Sequence, residues 1–500
     1  MRSMFRLLPL VLVVACGPAT TATVAPEPTP TSQTTERETE ERVVDREALA
    51  PMLDEYIGSF GQQWGPAFAF SGFVLVAEKG EPVYARGFSY ADRAGQRVAD
   101  ADTNFRVGSV TKQFTAAAIL ELEERGKLSV TDPVSKHFPD WPRGDAITIH
   151  HLLTHTAGMW SYTSDFAFMK ERIARPYTTE EMLALFRDHP LDFEPGQAWS
   201  YSNSGYVLLG AIIEKVHGKP YADAMHELVF EPAGLSRTMV GDAPSLGNRA
   251  LGYTRSTEES VASAAPIDMS VPHGAGAVRS TPNDLVAWHA ALGDGSVLGK
   301  DALAKLYTPD KNNYAYGWII TEFAGQSVIA HNGGINGFGT FYMRVPEDDV
   351  VVVAWTNVEG FDVDAVGKAA MGAAYGNRPE PPEEPPPKPV DAALAAGLVG
   401  SWAMDETSKK LLSGLGLPSD VIEALSTAVV MKAGDTIAMR VGAQDAVRLY
   451  QASDTELFAK IGGVRVTWDP PGEDGNVPVL RMRQGGPAVT FARVTTGAKR

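Results

Sequence analysis

Residues 105–128 read FRVGSVTKQFTAAAILELEERGKL. Apolar side chains recur at helical spacing at Phe114, Ala117, Ala118, Leu120 and Leu122, charged residues gather late, and Gly126 supplies a stop. The stretch therefore predicts a buried helix with a charged end. Ser109 and Lys112 stand three apart at its start and share one face. A serine hydroxyl is a weak nucleophile that needs a base beside it, and lysine serves once desolvation lowers its pKa. The unpaired NH groups of a helix start stabilise charge on an attacked carbonyl. Taken alone, Ser-x-x-Lys is a common pattern, and a capping serine with a surface lysine is its default reading. The rest of the chain overturns that default.

Outward from this helix, residues 46–60 have helical spacing, and residues 72–90 alternate as a β-hairpin turning at Lys79-Gly80. Residues 105–310 read as helix and loop. Strand character returns in AYGWIITEF, SVIAHN, GTFYMRV and DVVVVAWTN between residues 315 and 357, and residues 361–375 predict a closing helix. The pattern is α+β: an antiparallel sheet assembled from both ends of a domain at residues 46–376, flanked by helices and carrying a helical insertion. A cleft follows where sheet and insertion meet, with Ser109 at its edge. Residues 377–390, NRPEPPEEPPPKPV, predict an extended polyproline linker. Residues 391–500 show short runs such as TIAMRV, RVTWD and AVTFARV with a helical stretch near 417–430. They predict a small β-rich accessory domain, a barrel or sandwich with a structural or substrate-shielding role.

The chain has 500 residues and a formal net charge of -17, with no concentrated basic stripe outside its first residues. That balance argues against nucleic acid and against electrostatic binding to an anionic membrane, and leaves small-molecule or peptide substrates as partners. Residues 1–16, MRSMFRLLPLVLVVAC, place Arg2 and Arg6 before an apolar run that ends at Cys16. This is the pattern of an export signal, and Val13-Val14-Ala15-Cys16 resembles a bacterial lipobox. The expectation is an exported lipoprotein anchored through Cys16, facing the periplasm or exterior. Residues 17–45, rich in Thr, Pro and Glu, predict a disordered tether. Cys16 is the only cysteine, so the chain forms no internal disulfide and no cysteine-based zinc site.

Two further segments complete a pattern. Residues 193–210 read FEPGQAWSYSNSGYVLLG, in which Tyr201-Ser202-Asn203 precedes an apolar helix that Ser204 is placed to cap. Residues 329–338 read IAHNGGINGF, with His331-Asn332-Gly333 at the end of a predicted strand. Ser109-x-x-Lys112, Tyr201-x-Asn203 and His331-x-Gly333, in this order, resemble the three motifs of the serine β-lactamase and penicillin-binding-protein family, in its class C related branch. The resemblance covers roughly residues 50–375 and includes LSVTDPVSKHFPDWP, ITIHHLLTHTAGM and FEPAGL. It implies that Ser109 is acylated, that Lys112 shares its proton, and that Tyr201 acts as partner base and acid, as a phenolate favoured by nearby cations or as a proton relay. It further implies that Asn203 bonds the substrate and helps hold Lys112, that the amides of Ser109 and Gly334 form the oxyanion hole, and that Gly333 lets the strand approach closely. No metal or organic cofactor is expected.

The third motif starts with lysine in many relatives and with His331 here, as in D-aminopeptidase-like and esterase-like members. A neutral imidazole holds a substrate carboxylate more weakly than lysine does, so efficient β-lactamase activity is not expected. On this reading His331→Lys, or acidification from pH 8 to pH 6, should shift preference toward substrates that carry a carboxylate. His155, in LLTHTAG, reads as a structural histidine; His150 and His151 make no metal site, and His273-Gly274-Ala275-Gly276 is placed beside the cleft. The expected function is acyl-enzyme hydrolysis of amide or ester bonds in D-residue-containing or cell-wall-related peptides or esters. Weak β-lactamase activity, or a sensor that is acylated without turnover, is the alternative.

Overall fold

The computed structural model describes residues 44–494, apart from residues 243–245, 324, 382–385, 415–416, 418, 445, 461–462 and 485. The export signal, Cys16 and nearly all of the tether lie outside the described residues. Six strands form the main sheet: β1 (Gly72–Glu78), β2 (Glu81–Phe88), β3 (Ile319–Phe323), β4 (Gln326–Ile335), β5 (Phe338–Val345) and β6 (Val350–Thr356). Their order is β2-β1-β6-β5-β4-β3, and every neighbouring pair is antiparallel. The two ends of the domain meet where β1 pairs with β6, Gly72 opposite Thr356.

The layers follow from period-two patterning carried on both faces. Four helices matter to the argument: α1 (Arg46–Trp64), α2 (Thr111–Glu124), α3 (Asn203–His217) and α4 (Val363–Ala374). Val74, Val76, Val350, Val352 and Ala354 share one buried cluster with residues of α1 and α4. Their neighbours Phe73, Leu75, Val351, Val353 and Trp355 join the other, which includes the apolar residues of α2 and α3. With both faces covered, β6 reads VVVVAWT and is buried at every position. The same alternation puts Val328 and Ala330 of β4 on the α1 and α4 side, and Ile329 on the side of α2. His331 and Gly333 have the parity of Ile329 and so face α2.

Several local expectations need correction. Phe105–Arg106 is a short strand paired with Arg279 and Ser280, not the start of the helix. The chain leaves it through a tight 3₁₀ turn, Gly108–Val110, and α2 begins at Thr111. Ser204 does not cap α3; its hydroxyl accepts the Tyr162 amide proton at 2.9 Å, and Ser202 holds the cap position without a side-chain bond. The strand predicted from residue 315 starts at Ile319, because Ala315 N bonds Trp318 O across a turn with Gly317 at φ 76°.

Beyond the proline-rich segment, eight antiparallel strands between Gly400 and Arg493 close into a barrel, the first pairing with the last. Trp402, Ile437, Leu449, Leu457, Leu480 and Phe491 fill its core. The helix expected near 417–430 is confined to Ser419–Ala424, and Thr427–Ala433 is a strand. There the Val429-Val430 pair and alternating burial outweigh the helical spacing of the preceding residues. The barrel meets the first domain at Glu258, which accepts from Tyr450 Oη at 2.6 Å and pairs with Lys460 Nζ at 3.2 Å. No described helix is long and apolar enough to cross a membrane.

Candidate active site

Two backbone segments pack without side chains between them. A Cβ added at Gly333 would lie 2.2 Å from Val107 O and 2.9 Å from Ser109 N, and one added at Gly108, itself at φ 52°, would lie 3.0 Å from Gly334 N. The distance at Gly333 excludes a side chain, and at Gly108 a tight contact adds to a left-handed backbone that favours glycine, so both glycines let β4 lie against the Ser109 turn. Thr340 fastens the join, donating its hydroxyl proton to Val107 O at 2.8 Å. The backbones of Ser109 and Gly334 are thereby brought close together, as an oxyanion hole made from their two amides requires.

Ser109 is half-buried at this junction, and Lys112, one turn along, is fully buried. Its Nζ lies 3.1 Å from Ser109 Oγ and donates to Asn203 Oδ1 and Ala275 O, each at 2.8 Å. No ion pair offsets its burial among the described residues, and desolvation pushes its pKa well below the ordinary lysine value. The arrangement suits a neutral amine. Two N–H groups satisfy two acceptors that cannot donate, and the remaining lone pair faces the serine hydroxyl.

Tyr201 completes the group from the segment before α3. Its phenol is hydrogen-bonded to the Ser109 hydroxyl, and Lys112 Nζ stands 4.7 Å from its ring centroid. Burial raises the phenol pKa far above its ordinary value, and the bond to Ser109 offsets this only in part. A resting phenolate is therefore disfavoured, and the geometry supports the proton relay of the two roles considered for Tyr201. Asn203 begins α3 with its Nδ2 donating to Thr163 Oγ1 at 3.1 Å and its amide donating to Ser161 Oγ at 3.1 Å.

His331 sits below this surface, 2% exposed. Its Nδ1 lies 2.5 Å from Asn332 O and its Nε2 3.0 Å from Tyr314 Oη, so Nδ1–H donates and Nε2 accepts from the phenol. Burial first, then the Lys112 charge, pushes its pKa down to about 3. A buried ring with both nitrogens engaged offers no charge to a substrate at neutral pH. The expectation that acidification from pH 8 to pH 6 would protonate it is overturned by the loss of hydration. Gly333 and Gly334 are the parts of this motif that reach the cleft, half-buried and exposed respectively.

His155 lies under Tyr201 with ring centroids 4.3 Å apart, and its Nδ1 accepts the Ser202 amide proton at 3.2 Å. Burial holds it neutral, with its pKa well below the usual imidazole range. His150 and His151 are engaged locally, with Tyr316 Oη and the Thr148 amide. The segment at residues 273–276 lies behind Lys112, where Ala275 O takes the amine and Gly274 O accepts from Thr115 Oγ1 at 2.7 Å. Sequence reasoning missed Ser161, Thr163 and Tyr314, which anchor Asn203 and His331. Hydroxyl side chains in loops far along the chain carry no pattern that would single them out.

The chain is similar in sequence and fold to several known proteins. The family model described as Beta-lactamase matches residues 68–377. Penicillin-binding protein 4* of Bacillus subtilis is 28% identical over 84% of this chain and 94% of its own length. Esterase EstB of Burkholderia gladioli is 34% identical over 48% of this chain and 64% of its own length. A D-aminopeptidase of Brucella canis is 25% identical over 71% of this chain and 67% of its own. The octameric penicillin-binding protein homologue from Pyrococcus abyssi shares the fold at a TM-score of 0.59 and 23% identity, covering 88% of this chain and 99% of that one. An antiparallel sheet closed by its two ends, a Ser-x-x-Lys turn against a glycine strand and a match over most of the chain place this protein in the Beta-lactamase family of serine hydrolases.

Proposed function

We propose that this chain hydrolyses amide or ester bonds of D-residue-containing or cell-wall-related peptides, or of esters, through an acyl-enzyme on Ser109. The observation that carries the reading is the buried Lys112 amine, held by two acceptors with its third position on Ser109 Oγ. Ser109 Oγ adds to the carbonyl carbon as its proton passes to Lys112 and Tyr201, and the oxyanion is held by the amides of Ser109 and Gly334. Collapse breaks the bond to the leaving group, which takes the proton from Tyr201. Water then adds to the acyl carbonyl by the same relay and releases Ser109. The D-peptidase and esterase limb is supported by relatives named an esterase and a D-aminopeptidase, and by an uncharged His331 where a lysine would hold a β-lactam carboxylate.

Ser109→Ala should abolish both turnover and labelling by a serine-directed fluorophosphonate in a folded protein; undiminished labelling removes the assignment. Mixing with an activated ester should give repeated turnover after any burst. A halt near one equivalent across ester, D-aminoacyl amide and β-lactam substrates would favour a sensor. The pattern at residues 7–16 supports export and lipid anchoring at Cys16. Cys16→Ser should release the protein from membranes or leave the signal unprocessed, and a mature wild-type chain with an unmodified thiol would refute this.

A further inference from the structure

We propose that a pocket framed by Arg106, Arg249 and Arg279 binds a carboxylate carried by the substrate, on the side of Gly334 away from His331. The inference rests on the reading of Ser109 as nucleophile and adds a substrate class: amides or esters whose acyl part bears an acid group several bonds from the scissile carbonyl.

Position supports it first. A cavity of about 280 Å³ is lined by these three arginines, Asp242, Asn336 and Phe338, among others. Three of the lining segments continue segments of the active site. Arg106 precedes Ser109 by three residues and pairs in register with Arg279. Arg279 follows by four residues Ala275, whose carbonyl holds Lys112. Asn336 and Phe338 belong to the hairpin that leaves β4 just past Gly334, and Asn336 is two residues on, at most about 7 Å of extended chain.

Charge and chemistry support it next. Among the described lining residues, three guanidinium groups face one carboxylate. Asp242 is shared by Arg106, at 3.3 and 2.5 Å, and by Arg279, at 3.0 Å. Arg279 is further held by Asn104, and the side chains of Arg279 and Arg106 are only 3% and 14% exposed. The Arg249 guanidinium has no hydrogen-bond or ion-pair partner among the described residues, although its charge acts on Arg279. An unpaired cation in a partly desolvated cavity raises the free energy of the empty site, and an incoming carboxylate lowers it. The planar fork of arginine suits a carboxylate bidentately. The volume, against about 30 Å³ for one water, accommodates that group with the short chain that carries it. The charge that His331 does not provide is thus supplied by arginine.

The test compares N-glutaryl-D-alanine p-nitroanilide with its glutaramide analogue, which differs only in the terminal carboxylate, on the full chain. The wild type should prefer the acid by roughly tenfold to a hundredfold in kcat/KM, a preference that shrinks with added salt. Arg249→Met should collapse the ratio toward one, mainly through KM of the acid substrate, and Arg249→Lys should restore part of it. A ratio near one in the wild type, or one unmoved by Arg249→Met, overturns the proposal while turnover of the amide analogue leaves the hydrolase reading standing. Glutarate binding by calorimetry at low salt reads the site without chemistry: it should weaken at least tenfold in Arg249→Met, and equal binding overturns the proposal. Arg249-dependent glutarate binding in a chain that turns over neither substrate would support the pocket and refute the hydrolase reading.

Discussion

Lys112→Met separates the stability of the fold from its chemistry. A lysine whose folded-state pKa lies below its unfolded value binds fewer protons folded than unfolded across the interval between them. Wild-type stability therefore rises with pH throughout that interval, by up to about 1.4 kcal/mol per pH unit, and the penalty is fully present below the folded-state pKa. Methionine removes the titration. It also leaves Asn203 Oδ1 and Ala275 O without the amine, at a cost of about 1–3 kcal/mol each. That cost does not depend on pH, so the slope isolates the amine even where the absolute stabilities are close. Urea unfolding followed by near-UV circular dichroism at pH 7, 8, 9 and 10 should show the wild type gaining on the variant as pH rises toward about 10.4. Turnover should fall by roughly 10²- to 10⁴-fold in the variant, and wild-type kcat/KM should lose its activity on the acid side as Lys112 takes up a proton. A stability difference that stays constant over this range, or a variant with nearly full turnover, would refute a desolvated Lys112 base.

Four further outcomes follow from the geometry. Gly333→Ala should lower kcat by about two orders of magnitude, since its Cβ meets Val107 O at 2.2 Å and pushes β4 off the Ser109 turn; wild-type kinetics would show that the close approach is unnecessary. The ratio of rates on acid and neutral substrates should be the same at pH 8 and pH 6, because His331 with a pKa of about 3 stays neutral throughout, and His331→Lys should cost about 3–5 kcal/mol on thermal or chemical unfolding by placing an unpaired ammonium in a fully buried site. Asp364, which accepts from Asn332 Nδ2 at 2.9 Å, has its pKa raised from 3.8 to about 6 by burial and then by Asp362. Its folded form holds the extra proton, so stability falls as pH rises from 4 to 6, and Asp364→Asn should be on the order of 3 kcal/mol more stable at pH 7 with the advantage gone near pH 4; equal unfolding curves at pH 7 would refute this.

Three short motifs in a fixed order named Ser109, Lys112, Tyr201, Asn203, His331, Gly333 and Gly334, and they did so together through their resemblance to one family, since none of the motifs is specific alone. Local pattern also located β1 and β2 with their turn, the later strands of the sheet and the closing helix. Hydrophobic period and turn residues act over a few positions, and a sequence displays such short-range signals directly. What it could not display was solvent. Only the folded chain shows that Lys112 loses all contact with water, that the Tyr201 phenol is driven toward its neutral form, and that His331 turns onto Tyr314 with no charge to offer. Those outcomes depend on which distant segments exclude water from each group, and Ala275, the Ser161–Thr163 segment and Tyr314 come from three different places in the chain. The barrel shows the same division: individual strands were legible, but its closure needed Trp402, Ala403 and Met404 to pair with Arg493, Ala492 and Phe491 across the whole domain. The arginine pocket lies furthest beyond sequence reading, since Arg106, Asp242, Arg249 and Arg279 line one space only once three short strands, Phe105–Arg106, Val278–Ser280 and Met239–Val240, have paired.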